Sequence, residues 1–471
     1  MQLPQSIQDT LASYGQTHLV TWWDDLNDAQ QQALLAQLEE IDFPLMERLF
    51  AQRDASSADS AAQSSHDRAA KAEPPENLLR LPKTDADRSE WNAAESRGLA
   101  LLQAGKVGAI LVAGGQGTRL GFDKPKGMFP IGPVSNKMLF QMHCEQLAAR
   151  SRDAEAPIPY FIMTSAATHA DTVACFEENN WFGLPKGDVY FFQQGSMPAV
   201  DHREKKILLA EKHRIATSPD GHGGILKALA QTGMLDVMRD RGLEYLYYHQ
   251  VDNPTAIMCD PVFLGFHEQT GSDMSTKVVA KESAAEKMGV MVSVDGQTEI
   301  IEYSDLPDER AQATDDEGNL LLWAGNTAIH AFSLAFLERL KRDGIDLPYH
   351  IAHKPVPCLN DDGAPVEPDD KNANKFEQFI FDALPEAATA LVVEADRDRE
   401  FNPVKNAEGK DSPATSRDAM IRLHRQWLQD AGAEVADGVV VEISPLYALD
   451  ARQLAAKLPP NARFDSDTVL E

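Results

Sequence analysis

The stretch Val107-Gly108-Ala109-Ile110-Leu111-Val112-Ala113-Gly114-Gly115-Gln116-Gly117-Thr118-Arg119-Leu120-Gly121, followed by Lys124-Pro125-Lys126-Gly127, decides how the chain is read. Val107–Val112 is a short apolar run of the length of a buried strand. The glycines that follow let bare backbone N–H groups approach a polyphosphate, and Arg119 and Lys126 supply fixed positive charge beside them. The pattern predicts a strand feeding a nucleotide-binding loop.

Two better-known phosphate loops do not fit. The P-loop needs four residues between its glycine and Gly-Lys-Ser/Thr, and no such string occurs. The dinucleotide fingerprint G-x-G-x-x-G fails because Leu120 stands where its third glycine belongs. Neither an ATPase of that type nor a dehydrogenase is favoured.

The chain has 471 residues, 43% hydrophobic and 25% charged, which is ordinary for a globular protein and long enough for two or three domains. A net charge of −29 argues against a nucleic-acid partner, since no basic stripe is evident to neutralise phosphates. Anionic substrates must therefore be drawn in by local lysines and arginines. Cys144, Cys175, Cys259 and Cys358 are scattered without metal-ligand spacing, so neither a zinc site nor a disulfide framework is expected. The N-terminal residues lack a leader pattern and no run reaches about 18 apolar residues, so a cytoplasmic protein with free thiols and no membrane partner is expected.

Outward from the loop, Val107–Val112, Tyr160–Met163, Val189–Phe192, Tyr245–Tyr248, Lys277–Ala280 and Leu320–Trp323 read as strands alternating with helical patterns. Such alternation predicts a three-layer α/β domain around a mainly parallel sheet, whose ligands bind beyond the carboxyl ends of the strands. Polar clusters do follow the runs: Gly114, Thr164-Ser165, Gln193-Gln194-Gly195 and Gln250-Val251-Asp252-Asn253.

Three segments are expected: 1–91, helical with a flexible Ser/Ala-rich linker at 54–76; 92–391, the α/β domain; and 392–471, a smaller unit with a β-rich stretch from Val435 to Ile443. Near the start, Asn27 with Gln30 predicts a capped helix carrying Leu34, Leu35, Leu38 and Ile41, broken at Phe43-Pro44 before a second helix. Trp22 and Trp23 read as packing residues.

Gly-Gly-x-Gly-Thr-Arg-Leu-Gly, with Pro125-Lys126-Gly127-Met128 and then Pro133 through Gln141, resembles the eukaryotic-type UDP-sugar pyrophosphorylase family, closest to its UDP-N-acetylglucosamine branch. The likeness runs from about Leu19 to Leu446. It implies a Rossmann-like nucleotidyltransferase domain that joins UTP to a sugar 1-phosphate, N-acetylglucosamine 1-phosphate first among the candidates, and releases pyrophosphate. That transfer needs cations, a bridging metal and in-line alignment, with no general base because the attacking phosphate is already an anion.

The resemblance implies roles residue by residue. Gly114, Gly115, Gly117 and Thr118 contact nucleotide, Arg119 and Lys126 face the triphosphate, and Gln194 with Gly221 and His222 holds the nucleoside. Asp252, at the end of its strand, matches a metal-binding Val-Asp-Asn segment and would hold Mg²⁺, or Mn²⁺ in its place. Gly289, Glu302, Tyr303, Asn326, Phe379 and Phe381 line the sugar pocket. Lys405 matches a Leu-Lys-Asn-Ala lysine that touches phosphate at the reacting centre, with closure of the smaller unit as a means of delivering it. Gly221-His222-Gly223 departs from the Gly-Asn-Gly usual in the N-acetylglucosamine branch and is more like the UDP-glucose branch, which keeps glucose and galactose 1-phosphates open. A non-catalytic nucleotide-sugar binder is the rival of another class; Arg119, Lys126, Asp252 and Lys405 together argue against it. A monomer or weak homodimer is expected.

Overall fold

The computed structural model describes residues 1–57 and 67–471, and the part of the expected linker at 58–66 lies outside the described residues. The chain divides into two compact units of interleaved segments: Met1–Arg68, Gln194–Ile225 and Asp346–Asp382 in the smaller, and Ala69–Gln193, Leu226–Ile345 and Ala383–Glu471 in the larger.

The larger unit is built on a ten-stranded sheet. Its strands are β1 (Leu78–Leu79), β2 (Val107–Val112), β3 (Tyr160–Thr164), β4 (Val189–Gln193), β5 (Tyr245–Gln250), β6 (Met274–Ala280), β7 (Val290–Val294), β8 (Gln297–Ile301), β9 (Ala324–Ser333) and β10 (Ala390–Glu394). They lie in the order β1-β10-β6-β9-β5-β2-β3-β4, with β7 paired to β8 and β9 off that path. Strands β5, β2, β3 and β4 run parallel, while β9 runs antiparallel to both β5 and β6. All of Tyr160–Thr164 and most of Val107–Val112 are buried, which is why these strands read as unbroken apolar runs and not as alternations.

The helices Asp85–Gln103 and Pro261–Gln269 cross at close range. A Cβ on Gly98 would overlap the Pro261 carbonyl and one on Gly265 the Ala94 carbonyl, so both contact points require glycine. Asp260 caps the second of these helices through the Val262 N–H at 3.0 Å.

The apolar run at Leu320–Trp323 is not a strand. The Asp315 carboxylate accepts N–H bonds from Glu317 and Asn319 and closes a turn bridged by Thr314 and Leu320, so Leu322 enters the core from a loop and the strand begins only at Ala324. The expected linker also differs at its C-terminal end. Ala69 and Ala72 are fully buried against Val290 and Val292, and Glu73 bridges Ser293 in both directions at 2.9 Å. Small side chains there serve close packing, which a composition-based reading takes for a lack of core. Residues 392–471 fall within the larger unit but keep a core of their own around Leu428, Ile443 and Leu454, where Glu434–Val435 and Val441–Ile443 pair in parallel with Arg463–Phe464 and Thr468–Leu470.

In the smaller unit the Asn27–Gln30 capping box starts the helix Asp28–Glu40, and a second helix begins at Phe43. Their apolar faces pack with Val200, Ile207 and Phe376 of a region that includes the antiparallel strands Tyr349–Lys354 and Ala373–Gln378. Trp23 is buried in this core, consistent with a packing role.

Candidate active site

The glycine-rich loop leaves β2 at the sheet rim and doubles back on itself. Gly117 N–H donates to the Lys124 carbonyl at 2.9 Å and Lys126 N–H to the Gly115 carbonyl at 3.0 Å. Ser165, after β3, fixes the start of the loop by donating from Oγ to the Gly114 carbonyl at 2.8 Å. Two glycines are obligatory here: Gly121 has φ +68°, and a Cβ on Gly127 would overlap the Phe140 ring. The backbone N–H groups of Gly115, Gln116, Thr118 and Arg119 find no acceptor among the described residues, and all four residues are exposed. Free N–H donors next to the exposed Arg119 give this loop the chemistry to donate hydrogen bonds from its backbone to an anion's oxygens.

Asp252 stands two residues beyond the end of β5, the strand that pairs with β2, so sheet order brings it beside the loop. Its Oδ2 lies 3.6 Å from Lys126 Nζ, with both side chains largely shielded from solvent. The neighbouring Val251 carbonyl accepts from Nε2 of buried His143 at 3.1 Å, and burial lowers the His143 pKa to about 4, keeping that ring neutral.

The segment carrying Lys405 is fastened to the same strand end. Val404 N–H donates to the Asp252 carbonyl at 2.8 Å. Asn253 Nδ2 donates to the Glu400 carbonyl at 2.7 Å, while its Oδ1 accepts from Asn402 N–H at 3.2 Å and Thr255 Oγ1 at 3.0 Å. Asp252, Lys405 and Asn326 line one cleft of the larger unit, with Lys405 Nζ 5.3 Å from the centre of the Phe401 ring. Lys405 and Asp252 thus line the same cleft. Beneath this seam, buried Lys277 pairs with Asp260 at 2.6 Å and with Glu400. Burial would weaken the Lys277 ammonium, but the two carboxylates outweigh it and hold its pKa above the ordinary value.

Asn326 is aimed by an irregularity in β9. The register with β6 shifts between Lys277 and Val278, Ala328 takes φ +57°, and Asn326 Oδ1 accepts the Ala328 N–H at 2.9 Å. Asn326 N–H in turn donates to the Gly289 carbonyl at 2.9 Å, and a Cβ on Gly289 would press on Glu302 Oε1 at 3.0 Å. Gly289, Glu302 and Asn326 are therefore neighbours, and Tyr303 follows with its ring exposed.

The remaining expected contacts belong to the smaller unit. Gln194 Nε2 reaches the Gly221 carbonyl at 3.3 Å, and Gly221 has φ +85° against the Gln378 backbone. His222 stacks on Phe379 at 5.3 Å and lies 5.7 Å from Phe381. Burial, then the nearby His350, lower the His222 pKa to about 4, and its Nδ1 accepts the Ile380 N–H at 3.2 Å. His222 is a neutral aromatic member of this cluster and not a cation for phosphate. Asn253 was singled out only as a member of the polar cluster after its strand, and its joining role with Asn402 and Thr255 was not anticipated; the sequence marks that role by nothing more than the turn-forming Asp-Asn-Pro-Thr and Phe-Asn-Pro strings.

Asp252 is one carboxylate, and no group of three or more His, Cys, Asp or Glu among the described residues could hold a metal ion. That donor set fits a hard cation bound chiefly by phosphate oxygens and water. No helix among the described residues is long and apolar enough to cross a membrane.

A family model described as UTP–glucose-1-phosphate uridylyltransferase matches residues 51–455. A UDP-N-acetylglucosamine pyrophosphorylase of Saccharomyces cerevisiae is 38% identical over 445 residues, covering 91% of this chain and 92% of the relative. A human UDP-N-acetylhexosamine pyrophosphorylase-like protein 1 is 34% identical, covering 100% of this chain and 98% of the relative. Among solved structures, the uridine diphosphate N-acetylglucosamine pyrophosphorylase of Trypanosoma brucei, crystallised with an inhibitor, is 28% identical with a TM-score of 0.79, covering 99% of this chain and 100% of that one.

Proposed function

Because the chain belongs to the UTP–glucose-1-phosphate uridylyltransferase family, we propose that it is a nucleotidyltransferase that makes a UDP-sugar from UTP and N-acetylglucosamine 1-phosphate. The observation that carries the reading is the meeting of Lys126, Asp252 and Lys405 at the ends of β2 and β5. An oxygen of the sugar phosphate forms a bond to the α-phosphorus of UTP. The bond from that phosphorus to the bridging β-phosphate oxygen breaks, and pyrophosphate leaves with the electron pair. No proton has to move, since nucleophile and leaving group are both anions.

The free N–H groups of Gly115, Gln116, Thr118 and Arg119 hold the triphosphate, and the Arg119 guanidinium and Lys126 ammonium balance charge on the departing phosphates. Lys405 stabilises the charge that gathers on the α-phosphate as both oxygens are partly bonded. Mg²⁺, or Mn²⁺ in its place, would be held by Asp252, neutralising and aligning phosphate oxygens. From the family resemblance, Asn326, Glu302 and the Gly289 backbone are assigned to sugar hydroxyls, Gln194 and the Gly221-His222 turn to the nucleoside, and Phe379 and Phe381 to an acetyl methyl; that Gly289, Glu302 and Asn326 are neighbours supports the first of these.

Glucose 1-phosphate is the second reading, favoured by Gly221-His222-Gly223 alone. The test is pyrophosphate release with UTP and Mg²⁺ against the 1-phosphates of N-acetylglucosamine, N-acetylgalactosamine, glucose and galactose. Preference for an acetamido sugar supports the proposal, preference for glucose moves the chain to the neighbouring substrate, and silence with all four removes the catalytic reading.

A further inference from the structure

On the larger unit, away from the glycine-rich loop, Asp252 and Lys405, a cavity of about 410 Å³ opens between the helix Asp85–Gln103, the start of the helix Pro261–Gln269 and the segment after Pro413–Asp430. That volume falls in the range of small-molecule sites, roughly 300–1,000 Å³. Its lining includes Arg150, Arg399, Trp91 and Trp427, with Asp260 and Glu400 at the base.

Two of the four arginines that line this cavity have no paired carboxylate among the described residues. Asp260 and Glu400 are both engaged by Lys277, and Arg88 and Arg452 at the rim pair with Asp85 and with Glu95 and Asp450. Arg150 and Arg399 form no ion pair or side-chain hydrogen bond among the described residues, and Arg150 Nε is buried without a partner. Arg150 and Arg399 are thus the lining cations left without a paired carboxylate, in a protein whose overall charge is −29. A buried guanidinium N–H without an acceptor costs free energy that a bound anion would recover. The partly buried indoles of Trp91 and Trp427 offer flat apolar surface beside these cations.

We propose that this cavity is a second ligand site, for a small organic phosphate whose anionic group lies between Arg150 and Arg399 and whose planar portion lies against Trp91 and Trp427. Arg399 adjoins Glu400, whose carbonyl holds Asn253, so the site is joined by a short run of backbone to the segment bearing Lys405.

Isothermal titration of the full chain with adenosine monophosphate and with orthophosphate tests this. The proposal requires saturable binding of adenosine monophosphate that weakens about tenfold or more in Arg150→Met and in Arg399→Met and is unchanged in Lys126→Ala, with orthophosphate binding more weakly. Urea unfolding of both arginine variants confirms that they fold, and Arg399, which has no buried unpartnered nitrogen, reports alone if Arg150→Met does not. Absence of saturable binding, binding indifferent to the arginine variants, binding lost in Lys126→Ala, or orthophosphate bound as tightly as the nucleotide each overturns it. A catalytically silent protein that still binds in this pattern would separate this inference from the reading of the active site.

Discussion

The backbone carbonyl of Asp252 accepts the N–H of Val404 at 2.8 Å, so the residue next to Lys405 is fastened to the residue proposed to hold the metal. The segment that bears Lys405 is thereby fastened to the end of β5 by a backbone contact, beside the side-chain bonds of Asn253.

Removal of the lysine charge should therefore act on turnover. Lys405→Met is expected to lower kcat by about 10²–10³-fold with little change in UTP affinity, as for other donors aimed at transition-state charge. Steady-state kinetics with a direct UTP-binding measurement checks this; an unchanged kcat removes Lys405 from the mechanism.

Asn253 joins the same two segments through its side chain, so Asn253→Ala leaves the Glu400 carbonyl and the Asn402 N–H without their partner. Each lost partner costs about 1–3 kcal/mol in a buried setting. Reduced unfolding free energy together with reduced kcat is expected, and a variant as stable and as active as the parent would show that the seam is unimportant.

Two glycines of the loop should fail differently. A Cβ on Gly127 would overlap the Phe140 ring, so Gly127→Ala is expected to cost about 1–3 kcal/mol of stability through overpacking. A Cβ on Gly115 meets nothing within 4 Å. Gly115→Ala should leave stability unchanged and raise the KM for UTP roughly tenfold or more by holding phosphate off the free N–H groups. Unfolding curves and UTP kinetics of the two variants separate these effects, and identical behaviour would contradict the assignment.

Buried histidines set an acid limit. Burial lowers His143 to about 4, His267 to about 3 and His424 to about 4, so each is neutral when folded and takes up a proton more readily when unfolded. Their folded pKa values are depressed, so stability rises with pH across the window from about 4 to the unfolded value of 6.5 and is lost as pH falls through it. At pH 5.5 each should cost about 1.4 kcal/mol relative to pH 7.5. Urea unfolding at those two pH values should show the loss, and a flat profile would mean that these rings titrate normally in the fold.

The strand Val107–Val112, its glycine loop and the Asn27–Gln30 cap were readable in the sequence because each is a demand of local backbone: an apolar period, a donor-rich turn, an orphan N–H to cap. The polar clusters after the strands, including Asp252, were readable for a related reason, since chain direction in parallel strands assigns all carboxyl ends to one rim. Leu320–Trp323 misled because apolar content alone does not distinguish a strand from a buried loop, and Ala69 and Ala72 because small residues look alike in a linker and in a tight contact.

What only the tertiary structure decided is which distant segments meet. The pairing of β5 with β2 sets Asp252 beside Lys126, and the hydrogen bonds of Asn253 and Val404 bring in Lys405 from far along the chain. The sequence by itself determined the chemistry available, the glycine-rich loop with its bare N–H groups, the cations and the strand-end carboxylate. Their placement was settled by sheet order and by buried polar groups that had to find partners, and those partners are distant in sequence, where no local pattern reports them.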